Sequence, residues 1–346
     1  MKRIPMSTLI DFGVAFMTKK GVPEANARHV AEVIIESEAF RLSTHGIVKF
    51  SGLNADLGGR VDPRGEPEVV RDEGATALID GEGCIAILAM RVARELAVAK
   101  AREHGVGCTG VRRTGWVAAL GMHLIPIARE GLLAQGWAQS SACLDCAPFG
   151  GIDACFSTNP VAVAIPNEGD PIVGDFSTAT MSMAAASGLA KTGSRPATPR
   201  FLDSEGAPTD DPAVIKEGGS LMFAGGETEG HKGYALSLFN EAMTVVMGGS
   251  ANNPDLPQTQ SFGLTVIDPQ HFAGKEYYDR EMKRFVSRVK SSRGRPGVEA
   301  VRLPGERGFA ALAECREKGV PLDDEKLGML RKIAKENGIA PVDGGQ

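Results

Sequence analysis

Long apolar runs are missing from this sequence. No stretch of its 346 residues approaches the roughly 20 consecutive apolar residues that a helix needs to cross a bilayer. The start, Met1 to Pro5, leads into an amphipathic segment that lacks the apolar centre of a secretion signal. We therefore expect no membrane partner and a cytoplasmic location. With 42% hydrophobic and 23% charged residues, the chain has the composition of a globular protein large enough for two domains.

Cysteine is also scarce. Six cysteines in so long a chain do not make a disulfide framework, and we expect them to be reduced. Cys143 and Cys146 have the two-residue gap of a redox or zinc pair, but no second such pair or histidine-rich partner follows, and nearby there is only the single Cys155, so the sequence predicts no metal site. A zinc- or thiol-dependent enzyme that uses Cys143 and Cys146 remains an alternative.

No single sign of charge dominates. The net charge is −5 and the basic residues are scattered along the chain, which gives no patch for nucleic acid or for an anionic membrane surface. Small molecules are the partners that this pattern favours.

The densest group of reactive side chains lies between Arg41 and Lys49, just after a predicted helix from Glu24 to Phe40. His45 can exchange a proton near neutral pH, and Ser43 or Thr44 can orient its ring. Lys49 is placed to meet a carboxylate. The alternative is that a hydroxyl caps a second helix and that His45 is only a polar residue at a bend.

The order of the predicted helices and strands indicates an α/β protein that begins with helices. A strand at Thr76–Asp80, a helix at Ile87–His104 and a strand at Val106–Val111 form one unit, and Gly81-x-Gly83-x-x-Ala86 lies where a dinucleotide fingerprint belongs. We weigh against a Rossmann site, because the second strand ends in Val-Arg-Arg instead of the expected acidic residue.

Predicted strands and helices continue to alternate along the rest of the chain. Strands are predicted at 132–138, 158–166, 171–178 and 262–267, and helices at 121–130, 181–190 and 277–291. The glycine-rich stretch Gly225–Tyr234 precedes a predicted helix at 235–247. It is either an anion cradle, because backbone N–H groups and a lysine approach a ligand there, or a flexible loop.

Several motifs together resemble the type 2 malate/L-lactate dehydrogenase family over most of the chain. They occur in the family's order and spacing: His45-Gly46, Thr158-Asn159-Pro160, Asp175-Phe176-Ser177-Thr178, His231-Lys232-Gly233-Tyr234 and Pro304-Gly305-Glu306. The resemblance implies a non-Rossmann α/β fold with a mixed sheet and a helical N-terminal cap, an NAD or NADP cofactor, and a homodimer.

The resemblance also implies a division into parts and a set of site residues. Residues 1–57 with the C-terminal helices 310–346 would form the cap, 58–115 plus 262–309 the substrate side, and 116–261 the NAD(P)-binding part. His45 would donate the proton, with Ser43 and Thr44 orienting it. The cofactor contacts would be Leu120, Ser140, Asp175, Phe176, Ser177, Lys232, Gly233, Gly305, Glu306 and Arg307.

Three departures from the family pattern bear on the substrate. Lys49 stands where an arginine is usual, so the carboxylate would meet a point charge instead of a bidentate fork. Trp116 stands where many members have a histidine that reaches the substrate. Residues 226–230 look like a short insertion.

The sequence therefore predicts an NAD(P)H-dependent oxidoreductase that transfers a hydride to C2 of a small 2-oxo or cyclic 2-imino carboxylate. The broad apolar face of Trp116 suits a flat ring and an iminium cation, which favours piperideine- or pyrroline-2-carboxylate. A 2-hydroxy acid dehydrogenase of the malate or lactate type is the alternative, and a non-catalytic cofactor-binding homologue is a further one.

Overall fold

The computed structural model describes residues 1–255 and 258–343. The last three residues of the predicted C-terminal region 310–346 thus lie outside the described part. Ten α-helices lie within these ranges: α1 Met6–Lys19, α2 Glu24–Ala39, α3 Lys49–Asp56, α4 Ala86–His104, α5 Leu120–Arg129, α6 Met183–Thr192, α7 Gly226–Val246, α8 Lys275–Lys290, α9 Glu306–Lys318 and α10 Asp324–Asn337. Short 3₁₀ turns occupy Ser43–His45, Pro212–Lys216 and Pro269–His271.

The same ranges contain twelve strands, several of them very short. They are β1 Lys2–Ile4, β2 Glu68–Glu73, β3 Thr76–Asp80, β4 Val106–Thr114, β5 Leu133–Ser140, β6 Val161–Ile165, β7 Ile172–Phe176, β8 Phe201–Leu202, β9 Pro208–Thr209, β10 Ser220–Leu221, β11 Gln260–Ile267 and β12 Val320–Leu322.

A seven-stranded mixed sheet forms the centre of the molecule. Its strand order is β2-β3-β4-β11-β5-β6-β7, and of its neighbouring pairs only β3 and β4 are parallel. Helix α4 makes the crossover between these two strands, as a parallel pair requires. A doubly wound Rossmann sheet is parallel throughout its nucleotide-binding half, so the predicted non-Rossmann α/β fold is confirmed.

The dinucleotide-like segment at Gly81 has a structural explanation. The buried carboxylate of Asp80 at the end of β3 accepts hydrogen bonds from Arg112 at 3.0 Å and from Arg113 at 2.7 Å. A Cβ on Gly81 would lie 2.9 Å from Cβ of Thr114 on β4. The glycine therefore permits close packing at the end of the strand pair.

Helices from both ends of the chain pack together at one side of the sheet. Strand β1 pairs antiparallel with β12, and α1 contacts α2 and α10. Phe12, Phe16 and Phe50 form an aromatic group between α1 and α3, with the rings of Phe16 and Phe50 5.3 Å apart in an edge-to-face arrangement. A smaller core around Phe156, Phe201 and Phe223 supports the three-stranded sheet β10-β8-β9.

Two predicted details differ from the structure. Helix α7 begins at Gly226 instead of after Tyr234, so the glycine-rich stretch is helical and not a loop that precedes the helix. Strand β2 was not predicted, because all six of its residues are exposed and its sequence lacks the alternation of a half-buried strand.

Several strand ends meet at one end of the central sheet. Register places Gln260, the first residue of β11, opposite Thr114 at the end of β4 and opposite Ser140 at the end of β5. It also pairs Val161, the first residue of β6, with Phe176 at the end of β7. We call this the open end of the sheet. Trp116, two residues beyond β4, follows directly from it.

Among residues 1–255 and 258–343, no helix combines the length and the apolar character that spanning a membrane requires.

Candidate active site

His45 lies in a 3₁₀ turn between α2 and α3. Its Nδ1 atom is 2.9 Å from the hydroxyl of Thr44, and the ring is half-buried. Ser43 is exposed and lines a cavity of about 250 Å³, together with Arg41 and Cys315. Thr44 is therefore the hydroxyl that orients the imidazole in this structure.

Trp116 lies close to both His45 and Lys49. The rings of His45 and Trp116 are stacked with centroids 6.1 Å apart and an angle of 28° between their planes. Nζ of Lys49 lies 4.6 Å from the centroid of the Trp116 ring, which is a cation–π contact. The three residues that sequence reasoning assigned to proton transfer and substrate binding thus form one cluster.

The loop that carries Trp116 is fixed by a histidine that the sequence did not single out. Nε2–H of His123 on α5 donates to the carbonyl oxygen of Val117 at 2.6 Å. His123 is fully buried, and burial lowers its pKa to about 3, with Arg94 and His29 lowering it further and the Val117 hydrogen bond opposing the shift. An uncharged imidazole therefore holds this loop. A lone histidine in an apolar helix gave no signal of that role.

Burial also sets the protonation of the cluster. It lowers the pKa of His45 to about 4, and the positive charge of Lys49 acts in the same direction. Burial lowers the pKa of Lys49 as well. At neutral pH the His45 ring is uncharged, so one ring nitrogen carries a hydrogen and the other an accepting lone pair.

Asp175 connects the open end of the sheet to α5. Its Oδ2 accepts the backbone N–H of Gly121 at 2.8 Å, next to Leu120 at the start of the helix. Burial raises the pKa of this carboxyl, and the Gly121 hydrogen bond partly offsets the effect. The contact brings two of the predicted cofactor residues together.

Phe176 and Ser177 follow Asp175 and face different surroundings. The Phe176 side chain is 50% exposed, an unusual position for a phenyl ring at the end of a strand. The hydroxyl of Ser177 donates to the carbonyl of Thr158 at 3.0 Å and accepts the N–H of Ala179 at 3.0 Å. The strand end therefore offers a free aromatic face beside a fixed backbone turn.

Ser140 ends the neighbouring strand β5. Its hydroxyl accepts a hydrogen bond from Nε2 of Gln260 at 2.8 Å, and its backbone N–H donates to Ser157 at 3.2 Å. Gln260 begins β11 at the open end of the sheet, and Ser157 lies in the segment that precedes β6.

A buried polar network that sequence reasoning missed supports this region. Glu241 of α7 accepts hydrogen bonds from Nδ2 of Asn159 at 2.8 Å, from Nε2 of Gln139 at 3.1 Å and from the N–H of Asn252 at 2.9 Å. Asn159 has a φ of +35°, a left-handed value that asparagine tolerates better than most residues. Asn159 belongs to a motif noted in the sequence, but its buried partner on α7 could not be read from the chain.

Lys232 and Gly233 lie inside α7. Lys232 is exposed and forms an ion pair with Glu229 one turn earlier. A Cβ on Gly233 would lie 2.6 Å from the carbonyl oxygen of Thr178 and 2.7 Å from the N of Ala224. Gly233 therefore allows the helix to approach these backbones, whereas only Lys232 offers a charged group at the surface.

Gly305, Glu306 and Arg307 begin α9. Gly305 has a φ of +94°, and the carbonyl of the preceding Pro304 accepts the N–H of Val173 on β7 at 3.1 Å. Glu306 is paired with Lys290 at 2.8 Å, and the side chain of Arg307 is exposed. This start of the helix thus lies against the β7 edge of the sheet.

The surroundings of Cys143 and Cys146 do not support a zinc- or thiol-dependent enzyme. In the described part of the chain no three His, Cys, Asp or Glu side chains are grouped so that they could hold an ion. Cys146 is buried and burial raises its pKa, so it is a poor thiolate.

Comparisons with known proteins identify the family of the chain. The family model described as malate/L-lactate dehydrogenase matches residues 4–331. A malate dehydrogenase of Pyrococcus abyssi is 28% identical over 97% of this chain and 95% of its own length. A Delta(1)-pyrroline-2-carboxylate/Delta(1)-piperideine-2-carboxylate reductase of Pseudomonas putida is 30% identical, with 96% of both chains covered. The solved structure of malate dehydrogenase from Pyrococcus horikoshii OT3 superimposes with a TM-score of 0.87 at 27% identity, over 98% of this chain and 96% of that one.

Proposed function

Because this chain belongs to the malate/L-lactate dehydrogenase family and is an oxidoreductase, we propose that it uses NADH or NADPH to reduce C2 of a small carboxylate. Cyclic 2-imino carboxylates are its favoured substrates, and His45, Lys49 and Trp116 are the residues that meet them. The observation that carries the proposal is the contact cluster of these three side chains beside the open end of the sheet.

The residues at the open end fit a nicotinamide dinucleotide. The half-exposed Phe176 ring offers a flat apolar face, and the hydroxyl of Ser140 and the N-terminus of α5 supply polar groups beside it. Asp175, Leu120, Ser177, Lys232, Gly233 and the segment Gly305–Arg307 complete the proposed contacts. The bound cofactor supplies the hydride. The protein contributes orientation, charge and the handling of one proton.

Lys49 is the proposed partner of the substrate carboxylate. Its ammonium group is held over the Trp116 ring, which fixes a flexible side chain in one place. A cation thus already lies over this indole, so the contact that Trp116 offers a substrate is its flat apolar surface and not the attraction of an iminium charge. The indole therefore favours a ring-shaped substrate through its shape and apolar surface, and not through charge.

The uncharged state of His45 favours imines over ketones. Hydride transfer to a ketone leaves an alkoxide that needs a proton, but a ring with a pKa of about 4 holds one in only about a thousandth of the molecules at pH 7. A cyclic imine can bind already protonated, and hydride transfer then yields a neutral amine. The lone pair of neutral His45 can accept a hydrogen bond from that N–H.

A side-by-side assay tests this proposal. We expect piperideine- or pyrroline-2-carboxylate to be reduced with a higher kcat/KM than pyruvate or oxaloacetate, with either NADH or NADPH. A preference for the open-chain 2-oxo acids would contradict it. The same experiment includes a fluorescence titration with both reduced cofactors. If neither NADH nor NADPH binds, an NAD(P)H-dependent redox function is excluded.

The malate- or lactate-type dehydrogenase is the second candidate, and one observation favours it. A neutral imidazole can accept the proton of a substrate hydroxyl, which is the step that oxidation of a 2-hydroxy acid requires. A carboxylate bound beside Lys49 would also offset its positive charge and raise the pKa of His45. Oxidation of malate or lactate faster than imine reduction would support this candidate.

The choice between the two cofactors depends on which arginines are free. Arg195, a candidate for a 2′-phosphate, is bound to Asp210 at 2.8 Å and to Asp211 at 2.5 Å. Nη1 of Arg200 donates to the carbonyl of Thr180 at 3.1 Å. Two carboxylates thus neutralise Arg195, which supports NADH over NADPH at that residue.

We also propose that the protein is a homodimer. Helix α7 turns its polar side, with Ser237, Asn240 and Glu241, into the protein, whereas its apolar side faces solvent. The exposed apolar residues recur at three- and four-residue spacing: Ala235, Leu238, Phe239, Ala242, Val245 and Val246. A helix with this orientation is typical of a surface that a second subunit covers.

A further inference from the structure

The buried carboxylate of Glu38 packs against the backbone of the turn that holds His45. Oε2 of Glu38, near the end of α2, accepts the backbone N–H of Ile47 at 3.1 Å. Between His45 and Ile47 stands Gly46, where a Cβ would lie 2.3 Å from that same oxygen. The turn can therefore lie directly against Glu38 only because residue 46 has no side chain.

The other oxygen of this carboxylate binds the C-terminal helix. Nζ of Lys326 donates to Oε1 of Glu38 at 2.5 Å, and the side chains of Lys326 and Glu38 are only 17% and 5% exposed. The backbone of Lys326 is fixed as well, because its N–H donates to the capping carboxylate of Asp323 at 2.8 Å. A rigid connection thus runs from the start of α10 to the turn that holds His45.

We propose that Glu38 and Lys326 are positioning residues for His45, so that α10 sets the orientation of the imidazole although neither residue touches the substrate. The proposal rests on the role of His45 given above. Its physical basis is that a buried carboxylate is stable only while both oxygens have partners. Loss of Lys326 would make Glu38 move or take up water, and the Ile47 N–H and the adjacent His45 would follow.

A change in the position of His45 should affect turnover more than it affects cofactor binding. A displacement of about 1 Å in a reacting group can lower turnover by about a hundredfold. The cofactor contacts lie on other elements and should be unaffected. A purely structural ion pair would instead change the thermal midpoint and leave kcat unchanged at temperatures where the protein is folded.

Three variants separate these roles. We expect Lys326→Met to lower kcat about tenfold or more, with the Kd for the reduced cofactor unchanged. Lys332→Met is the matched control, since Lys332 is an exposed lysine on the same helix, 3.8 Å from Glu336. The double variant Glu38→Gln/Lys326→Met should recover most of the activity, because the amide oxygen still accepts the Ile47 N–H and no buried charge is left unpaired. Unchanged kcat in folded Lys326→Met, or no recovery in the double variant, overturns the proposal.

A second readout needs no substrate. The Cε1–H resonance of His45, assigned with His45→Gln, should not titrate between about pH 5.5 and 8 in the wild type, because its pKa is about 4. In Lys326→Met the loosened turn admits water, and we expect the midpoint to move up into that range. If the wild type reduces no carboxylate, the proposed function fails, while this titration still decides the positioning role. An unchanged midpoint in Lys326→Met overturns it.

Discussion

At the scale of single residues, His45 is defined by its surroundings more than by its own chemistry. Burial and the neighbouring Lys49 keep its ring uncharged at neutral pH, and Thr44 fixes one of its nitrogens. The same imidazole in water would be partly protonated. The site therefore holds a ring that is neutral at pH 7, with one nitrogen that carries a hydrogen and one that carries a lone pair.

Replacement of His45 tests its part in catalysis. We expect His45→Ala to lower kcat at least about a hundredfold for any substrate whose product needs a proton, since general acid–base catalysis contributes about 10² to 10⁴. Cofactor binding, followed by fluorescence, should stay nearly unchanged. His104→Ala, which alters an exposed histidine at the end of α4, serves as control. Near-normal turnover in His45→Ala would show that another group carries the proton.

Trp116 is predicted to set the preference between rings and open chains. Trp116→His removes the flat apolar face and the cation–π contact with Lys49, and it adds a titratable group. We expect the ratio of kcat/KM for piperideine-2-carboxylate to that for pyruvate to fall about tenfold, which corresponds to about 1.4 kcal/mol.

Trp116→Phe is the matched control for this prediction, because it retains an aromatic face at the same position. Its substrate ratio should remain within a few-fold of the wild type. An unchanged ratio in Trp116→His would mean that Trp116 only packs against its neighbours.

At the scale of elements, α5 connects both halves of the site. Its first turn binds Asp175 through Gly121, and His123 in its middle holds the loop that carries Trp116. The loop includes Ala118, whose φ of +75° is costly for a residue with a side chain. The hydrogen bond from His123 helps to keep that strained conformation.

The buried His123 also predicts how stability depends on pH. Its folded pKa of about 3 lies below the ordinary value of 6.5. Below pH 6.5 the unfolded chain takes up a proton that the folded chain refuses, so stability falls as the pH drops towards 3. This group contributes a slope of up to about 1.4 kcal/mol per pH unit in that window.

His123→Gln tests the slope, since a glutamine amide can still donate to Val117 but does not titrate. Urea unfolding at several pH values should give a free energy that depends less steeply on pH than in the wild type. His104→Gln should keep the wild-type slope. Parallel curves for His123→Gln and the wild type would show that this ring is not the acid-sensitive group.

At the scale of the whole molecule, α7 presents an apolar side to solvent and a polar side to the core. The exposed fractions of Phe239 and Val246 are 49% and 72%. Such a surface costs free energy in water unless another surface covers it.

We predict a dimeric mass at micromolar concentration and a monomeric mass for Phe239→Glu, because a charge at the centre of an apolar interface is costly to bury. Sedimentation equilibrium measures both. Val69→Glu, which places a charge on the exposed strand β2, should remain dimeric. A monomeric wild type with full activity would exclude the homodimer.

Much of the fold could be predicted because its signals are local. The strand, helix and strand from Thr76 to Thr114 follow from hydrophobic period and from glycines at their ends, and β6 is bounded by Pro160 and Pro166. The start of α7 could not be predicted in this way. Its glycines weaken helix propensity, and only the contact of Gly233 with the backbones of Thr178 and Ala224 explains them.

The sequence by itself determined the chemistry that this protein has available: an imidazole beside hydroxyls, a lysine, an indole, and polar residues at the ends of strands. The tertiary structure decided the state of those groups. Burial made His45 neutral, the approach of Lys49 to Trp116 fixed the cation, and the Glu38–Lys326 pair connected the His45 turn to the C-terminal helix. These are effects of desolvation and of contacts between residues distant in the chain, and no local pattern of residues encodes them.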